Sequence, residues 1–143
     1  MDGAQLQSIR SILFDKTPSE NWPVGWHQDL TICTKSEAAC EGYGPWSVKD
    51  GIPHVQPPVE LLKSMVTARI HLDPTDSTNG ALMVVPGSHL DGRIPPSSIA
   101  GRTPGNAHIC ECDPGDILLM SPLILHSSRR STAPNRRRII HFE

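Results

Sequence analysis

Hydrophobic and polar positions alternate along much of this chain over short stretches, a pattern typical of β-strands. Residues 66–72 show it clearly, because Thr67, Arg69 and His71 alternate with apolar side chains and the two sets face opposite sides of a strand. Similar runs predict strands at 9–14 (or the end of a helix), 22–34, 81–85, 108–111, 116–120, 123–126 and 137–142. The pattern therefore predicts about eight short strands.

Two long segments rich in glycine, proline and polar residues, at 35–58 and 88–106, separate these strands. We expect both to be loops, and loops of this length in a compact domain commonly serve function. Residues 58–65 predict one short helix with Pro58 in its first turn. With 14 prolines and 11 glycines in 143 residues, the chain has little room for longer helices. The predicted fold class is all-β with little helix, a small sandwich or barrel and most simply a jelly roll.

The charge balance limits the classes of partner. Thirteen lysines and arginines against 15 aspartates and glutamates give a net charge of −2, which excludes the basic excess typical of a general nucleic-acid-binding protein. No apolar run reaches the length of a signal-peptide core or a membrane span. The four cysteines form no CxxC pair and are expected to be reduced thiols. These features predict a cytoplasmic protein with no nucleic-acid and no membrane partner.

Two His-x-Asp triplets, His27-Gln28-Asp29 and His71-Leu72-Asp73, are candidate metal ligands. On a strand, residues i and i+2 share a face, so the imidazole and the carboxylate project together. With one further histidine, such a pair forms the facial triad that binds Fe(II) and leaves positions open. His126, at the end of the predicted strand 123–126, is a candidate for that third ligand. From the residues alone, structural roles for both triplets and a surface position for His126 stay open.

The chain also carries a cluster of arginines, at positions 129, 130, 136, 137 and 138. Alternation over 137–142 places Arg137, Ile139 and His141 on one face of a strand. One arginine is therefore expected to point inward, where its guanidinium needs an anion and suits a carboxylate. The alternative interpretation is a solvated basic loop or a phosphate-binding patch.

Five motifs in order along the chain carry a resemblance to a known family: W-H-Q-D-L at 26–30, N-G-A-L-M-V-V-P-G-S-H at 79–89, G-D-I-L-L-M at 115–120, H-S-S at 126–128 and R-R at 137–138. Together they resemble the phytanoyl-CoA dioxygenase family, and stretches 14–30 and 44–51 are similar to its small bacterial-type members. The resemblance implies a double-stranded β-helix, the cupin-like form of the jelly roll, and an oxygenase that depends on Fe(II) and 2-oxoglutarate.

The resemblance also implies roles for particular residues. His27, Asp29 and His126 match the family's metal ligands, and Arg137, assisted by Ser128, matches the residue that binds the C5 carboxylate of 2-oxoglutarate. The second triplet falls where the family has core and turn residues. Further side chains are candidates for contacting the substrate or 2-oxoglutarate; these are Arg69, His71, Trp46, Lys49 and His54.

The implied reaction is hydroxylation of an unactivated C–H bond of a small organic substrate, with 2-oxoglutarate and O2 converted to succinate and CO2. Two alternatives stay open. One is a catalytically silent or truncated cupin-like metal-binding module. The other is a zinc or similar site for hydrolytic or isomerase chemistry, in which a 2-oxoglutarate-binding Arg137 would have no purpose.

Family members are usually longer, so we expect residues 1–143 to form a single double-stranded β-helix domain without the usual N-terminal flanking region. Strands missing from such a domain would leave sheet edges exposed, which favours a homodimer.

Overall fold

The computed structural model describes residues 6–102, 107–132 and 135–143. In these residues the chain forms eleven strands: β1 (Ser11–Lys16), β2 (Val24–His27), β3 (Ile32–Cys33), β4 (Trp46–Lys49), β5 (Ile52–Val55), β6 (Thr67–His71), β7 (Leu82–Val84), β8 (His108–Cys110), β9 (Ile117–Met120), β10 (His126–Ser128) and β11 (Arg137–Phe142). Two short helices, α1 (Val59–Ser64) and α2 (Pro96–Ile99), and two 3-10 turns complete the described elements.

Two four-stranded antiparallel sheets make up the body of the fold. Sheet A has the strand order β1-β11-β6-β9 and sheet B the order β2-β10-β7-β8. One cavity is lined by side chains from both sheets, so it lies between them. The predicted all-β jelly roll, the architecture of a double-stranded β-helix, is confirmed.

The two inner faces differ in character. In β6 and β11 of sheet A every second residue is buried, and several of these are polar, including Arg69, His71, Arg137 and His141. Apolar packing is concentrated instead around sheet B, in two clusters formed by Leu82, Val84 and Met120 and by Val85, Ile94 and Leu125. The predicted alternation in both strands is confirmed, and it places polar groups where the cavity needs them.

The prediction of a loop over 35–58 is wrong in part, because β4 and β5 form a hairpin there. Asp50 (φ 51°) and Gly51 (φ 78°) make the turn, and positive φ at both central residues gives the twist that a two-residue hairpin needs. With β3, the hairpin forms a small sheet C in the order β3-β5-β4.

Two predicted strands also differ from those observed. Segment 22–34 divides into β2 and β3, because after His27 the backbone N–H of Asp29 donates to Pro122 O at 2.9 Å and leaves the ladder. The strand predicted over 123–126 begins later, at His126 as β10. The residues before it form a turn, in which Ile124 N–H donates to Ser121 O.

The one predicted helix is present, but the prediction of a loop over 88–106 is wrong in part, because its described residues include short helical turns. Helix α1 lies in the predicted segment directly after Pro58. The described part of 88–106 holds α2 and the 3-10 turns Ser88–Asp91 and Ala100–Arg102, whereas 103–106 lie outside the described residues. None of the helices in the described parts of the chain has the length and apolar character needed to span a membrane.

Candidate metal centre and anion-binding cavity

Three predicted metal ligands meet at the cavity between the sheets. His27 on β2 lies directly opposite His126 on β10, and Asp29 follows β2 by two residues. His27 Nε2 is 3.6 Å from Asp29 Oδ1, and His126 Nε2 is 3.5 Å from Asp29 Oδ2. The three ligand atoms lie within 4.8 Å of one another. Strand pairing therefore brings His126 to the imidazole and carboxylate of His27 and Asp29, which lie far from it in sequence.

Backbone carbonyls fix both imidazoles in the orientation that a metal requires. His27 Nδ1 donates to Gly25 O at 2.8 Å, and His126 Nδ1 donates to Ile124 O at 2.9 Å. In the neutral form each ring then carries its proton on Nδ1, so Nε2, on the side of Asp29, can bind a metal. A second hydrogen bond of this kind commonly orients metal-binding histidines.

Electrostatics favour an ionised Asp29 and a neutral His126, which suit a cation, whereas the contact with Asp29 favours the protonated form of His27, whose proton a bound metal would displace. Burial alone would raise the pKa of the Asp29 carboxyl, but contact with His27 and the nearby charge of His126 outweigh it and lower the pKa to about 2. Burial lowers the pKa of His126, whereas the contact with Asp29 raises that of His27. The set of two nitrogens and one ionised oxygen is the chemistry of a facial-triad site for a divalent metal.

Arg137 supplies a second feature of the same cavity. Its side chain is only 2% exposed, yet Nε and Nη1 have no hydrogen-bond partner among the described residues. Burial, and then the charge of Arg69, lowers its pKa to about 10. A buried guanidinium with unused donors is costly unless it meets an anion, so the cavity is built to receive one.

The neighbouring arginines do not compete for this role. Arg136 pairs with Asp15, and Arg138 donates from Nε and Nη2 to the two carboxylate oxygens of Asp73. Of these three arginines, only Arg137, which alternation placed on the face of Ile139 and His141, lines the cavity.

Lys16 is a cavity residue that sequence reasoning missed. It lies opposite Arg137 across β1 and β11, and its Nζ donates to Ser128 Oγ at 3.2 Å and to Arg129 O at 3.0 Å. Ser128 is buried as well. Alternation along β1 could have identified the face, but not the partner strand. Lys16 therefore contacts Ser128 on sheet B and lies opposite Arg137 on sheet A, and all three residues line the cavity.

Of the candidate substrate residues, Arg69 lines the cavity and the others do not. His71 is fully buried, with Nδ1 at 2.8 Å from Thr75 Oγ1. Trp46, Lys49 and His54 lie on the β4–β5 hairpin rather than on a loop. His54 contacts a cavity residue without lining the cavity itself, because its Nε2 lies 3.3 Å from Nη1 of Arg10.

The two side chains of the second His-x-Asp triplet do not converge. His71 points inward from β6, whereas Asp73 lies past the end of the strand and pairs with Arg138. The backbone after β6 therefore directs the two side chains to different places. This agrees with the core and turn roles that the resemblance implied.

Solved structures of other proteins share this fold. EctD from S. alaskensis in its apo form superposes with a TM-score of 0.66 at 22% identity, covering 95% of this chain and 43% of that one. AviO1 from Streptomyces viridochromogenes Tue57 has a TM-score of 0.59 at 21% identity, covering 92% and 47%. HygX from Streptomyces hygroscopicus, solved with nickel, 2-oxoglutarate and hygromycin B, has a TM-score of 0.59 at 16% identity, covering 95% and 54%. The chain therefore spans about half or less of the length of these proteins.

A search of curated proteins found no match to this sequence. The sequence does match the family described as Phytanoyl-CoA dioxygenase (PhyH) over residues 4–139, nearly the whole chain. The chain therefore belongs to the phytanoyl-CoA dioxygenase family.

Proposed function

We propose that this protein is an Fe(II)- and 2-oxoglutarate-dependent dioxygenase that hydroxylates an unactivated C–H bond of a small organic substrate. The observation that carries the proposal is the unpartnered buried guanidinium of Arg137 in the cavity that also contains His27, Asp29 and His126. A site that binds 2-oxoglutarate needs such an anion-binding arginine, whereas metal-assisted hydrolysis or isomerisation of an uncharged substrate does not.

In this proposal the protein's own residues bind and orient the iron and 2-oxoglutarate. His27, Asp29 and His126 hold Fe(II), and their fixed tautomers remove the need for reorientation when the metal binds. Arg137 and Ser128, with Lys16 beside them, hold the C5 carboxylate of 2-oxoglutarate. The bound iron and 2-oxoglutarate supply the oxidising chemistry, in which O2 is consumed, 2-oxoglutarate becomes succinate and CO2, and a C–H bond is hydroxylated.

Members of the same fold support this assignment. The HygX structure contains nickel, 2-oxoglutarate and hygromycin B, and a structure of EctD contains 2-oxoglutarate and 5-hydroxyectoine. Those small molecules belong to those proteins. For this chain they support the class of cosubstrate and the small size of the substrate.

Anaerobic titration tests the proposal directly. Adding Fe(II) and then 2-oxoglutarate to the protein is expected to produce a visible charge-transfer absorption band, because the oxo acid chelates the iron. His126→Ala removes one of three ligands and should abolish the band. His108→Ala is the matched control, since this exposed histidine on β8 lies outside the cavity.

The second measurement is succinate formation from 2-oxoglutarate in air, which should require iron and Arg137. If the wild type shows no band and His126→Ala behaves in the same way, the oxygenase assignment is wrong. Metal binding without a band would instead indicate the silent metal-binding module.

A further inference from the structure

Arg69 is a second buried guanidinium in the cavity, and no carboxylate among the described residues forms an ion pair with it. Its side chain is 6% exposed and projects from β6 into the space between the sheets. Nη1 donates to His141 Nδ1 at 2.9 Å, and Nε has no partner in the described part of the chain. The ring of Phe14 covers one side, with its centroid 5.2 Å from Arg69 Cζ. The residue thus has unused donors in a place where water is largely excluded.

Arg69 lies beside the metal ligands. Its hydrogen-bond partner His141 has a ring nitrogen within 4.8 Å of an Asp29 carboxylate oxygen, and Glu143 completes that cluster. Arg69 is also directly opposite His141 in the pairing of β6 with β11. Arg137 is four residues away along β11, on the same inner face. The two guanidiniums therefore belong to different parts of the cavity, one beside Asp29 and one beside Lys16 and Ser128.

Depth in the cavity separates the possible ligands of these groups. The side chains of His27 and Asp29 are 40% and 23% exposed, so they lie at the open side. Arg69, Arg137 and His126 are each less than a tenth exposed and form the floor. A ligand that reaches both arginines must lie along the floor, beneath the side from which a substrate approaches.

The charges of the groups that line the cavity also favour a ligand that reaches both arginines. Arg10 forms an ion pair with Glu143, which leaves Lys16, Arg69 and Arg137 as cations with no carboxylate partner among the described residues. A single carboxylate bound at Arg137 leaves Arg69 uncompensated beside a divalent metal. A dianion with a carboxylate at each end places one negative charge at each arginine.

We infer that Arg69 binds the C1 carboxylate of 2-oxoglutarate, so that the cosubstrate lies between two arginines, with Arg69 at the metal end and Arg137 at the C5 end. The inference rests on the proposed function and adds to it a second residue that recognises the cosubstrate.

The neighbours of Arg69 act as positioning residues. Arginine only donates, so His141 Nδ1 accepts from it and the proton of this imidazole lies on Nε2, which donates to Glu143 Oε1 at 3.3 Å. Glu143 also accepts from Arg10. This series of contacts holds one end of the Arg69 guanidinium and leaves Nε and Nη2 for a ligand.

Comparing two oxo acids distinguishes the two arginines. 2-Oxopentanoate has the length and keto acid group of 2-oxoglutarate but lacks the C5 carboxylate. Dissociation constants of both are measured anaerobically on the Fe(II)-loaded protein, for the wild type, Arg69→Gln, Arg137→Gln and the exposed control Arg136→Gln. Metal affinity and thermal unfolding are recorded for each variant.

Arg69→Gln should weaken both oxo acids by a similar factor, about 10- to 100-fold for the loss of a charged hydrogen-bonding group. Arg137→Gln should weaken 2-oxoglutarate alone and so remove the preference over 2-oxopentanoate. The control should change neither. Arg69→Lys keeps the charge without the planar pair of donors, so it should weaken both acids to an intermediate degree; it carries the test if Arg69→Gln does not fold.

The inference is overturned if substitution of Arg69 leaves both affinities unchanged, which would assign the residue to the substrate or to the fold. It is also overturned if only 2-oxoglutarate is weakened, which would place Arg69 at the C5 end. If the wild type binds neither acid in the presence of Fe(II), the proposed function itself fails.

Discussion

Lys16 is the residue whose chemistry the fold changes most. Burial, and then the charges of Arg137 and Arg69, lowers its pKa from 10.5 to about 8. The side chain is only 2% exposed and donates to Ser128 and Arg129 rather than to a carboxylate. Its proton is therefore weakly held until an anion arrives, and binding of a dianion favours the charged form.

We expect the affinity for 2-oxoglutarate to depend on pH through this lysine. Below about pH 8 Lys16 is protonated in the free protein and the affinity is level; above it the free protein loses the proton and affinity falls, by at most about tenfold per pH unit. Lys16→Met should bind more weakly at neutral pH and lack that fall. Calorimetric titration of Ni(II)-loaded protein between about pH 6.5 and 9 measures both.

Lys63→Met on helix α1 is the matched control, since that lysine is exposed and pairs only with Glu60. It should keep the wild-type profile. An identical pH dependence in Lys16→Met would show that another group titrates.

At the scale of an element, the turn between β6 and β7 packs closely against the segment after β10. Asn79 Oδ1 accepts from Asp76 N–H at 2.9 Å, and Gly80 follows with φ 79°. A Cβ on Gly80 would lie 2.6 Å from Arg129 O, which is the carbonyl that accepts from Lys16. Glycine is required here by both the backbone angle and the close approach of another backbone segment.

Gly80→Ala should therefore lower the free energy of unfolding by about 2–3 kcal/mol, because the alanine meets left-handed strain and a clash with backbone. Gly25→Ala is the control: its Cβ would meet nothing within 4 Å and its φ is not positive. Urea unfolding followed by circular dichroism compares the two. Equal stabilities would contradict the assigned role of Gly80.

Strands and helices could be predicted from the sequence where the local residue pattern determines them. The strands β6 and β11 and helix α1 follow from alternation and from Pro58. The β4–β5 hairpin did not, because Pro53 within β5 argues against a strand and the polar composition suggests a loop. Asp50-Gly51 was the available signal, since this dipeptide is a strong marker of a hairpin turn.

The pairing of strands that are distant in sequence limits how much of the site can be predicted from the sequence. Sequence alone could select the inward face of β11 and so Arg137, and the resemblance selected the metal ligands. Neither the sequence pattern nor the resemblance could show that Lys16 lies opposite Arg137, or that His141 and Glu143 lie near Asp29. Those relations depend on registers between segments more than 100 residues apart, which no local pattern encodes.

Across the whole molecule, the outer face of sheet A is unusually apolar. Leu13, Ile117 and Leu119 are each more than half exposed on it, and Ile70 and Ile140 lie in the same row of paired residues as Leu13 and Ile117. One end of this face is closed by the ion pairs of Arg136 and Arg138. An exposed apolar face bordered by charges that are already paired is suited to contact with a second copy of itself.

We expect the protein to self-associate through this face, in a concentration-dependent way. Leu13→Lys combined with Leu119→Lys should weaken the dimer by about tenfold or more, because each change places a charge in the contact. Leu90→Lys, at an exposed leucine outside sheet A, is the control. Sedimentation velocity over a range of concentrations is the measurement, and a wild type that stays monomeric throughout would disprove the contact.

The pairing of β1 with β11 has a consequence for how the cavity is made during synthesis. These two strands are adjacent in sheet A along six residue pairs, although more than 100 residues separate them in sequence. In a growing chain His27 and Asp29 are synthesised early, but β1 cannot pair with β11 until residues 137–142 leave the ribosome. Closing so long a loop is slow compared with forming local turns. Arg137 therefore joins the floor of the cavity only after β11 has paired with β1, so a nascent chain lacks this buried cation until that pairing forms.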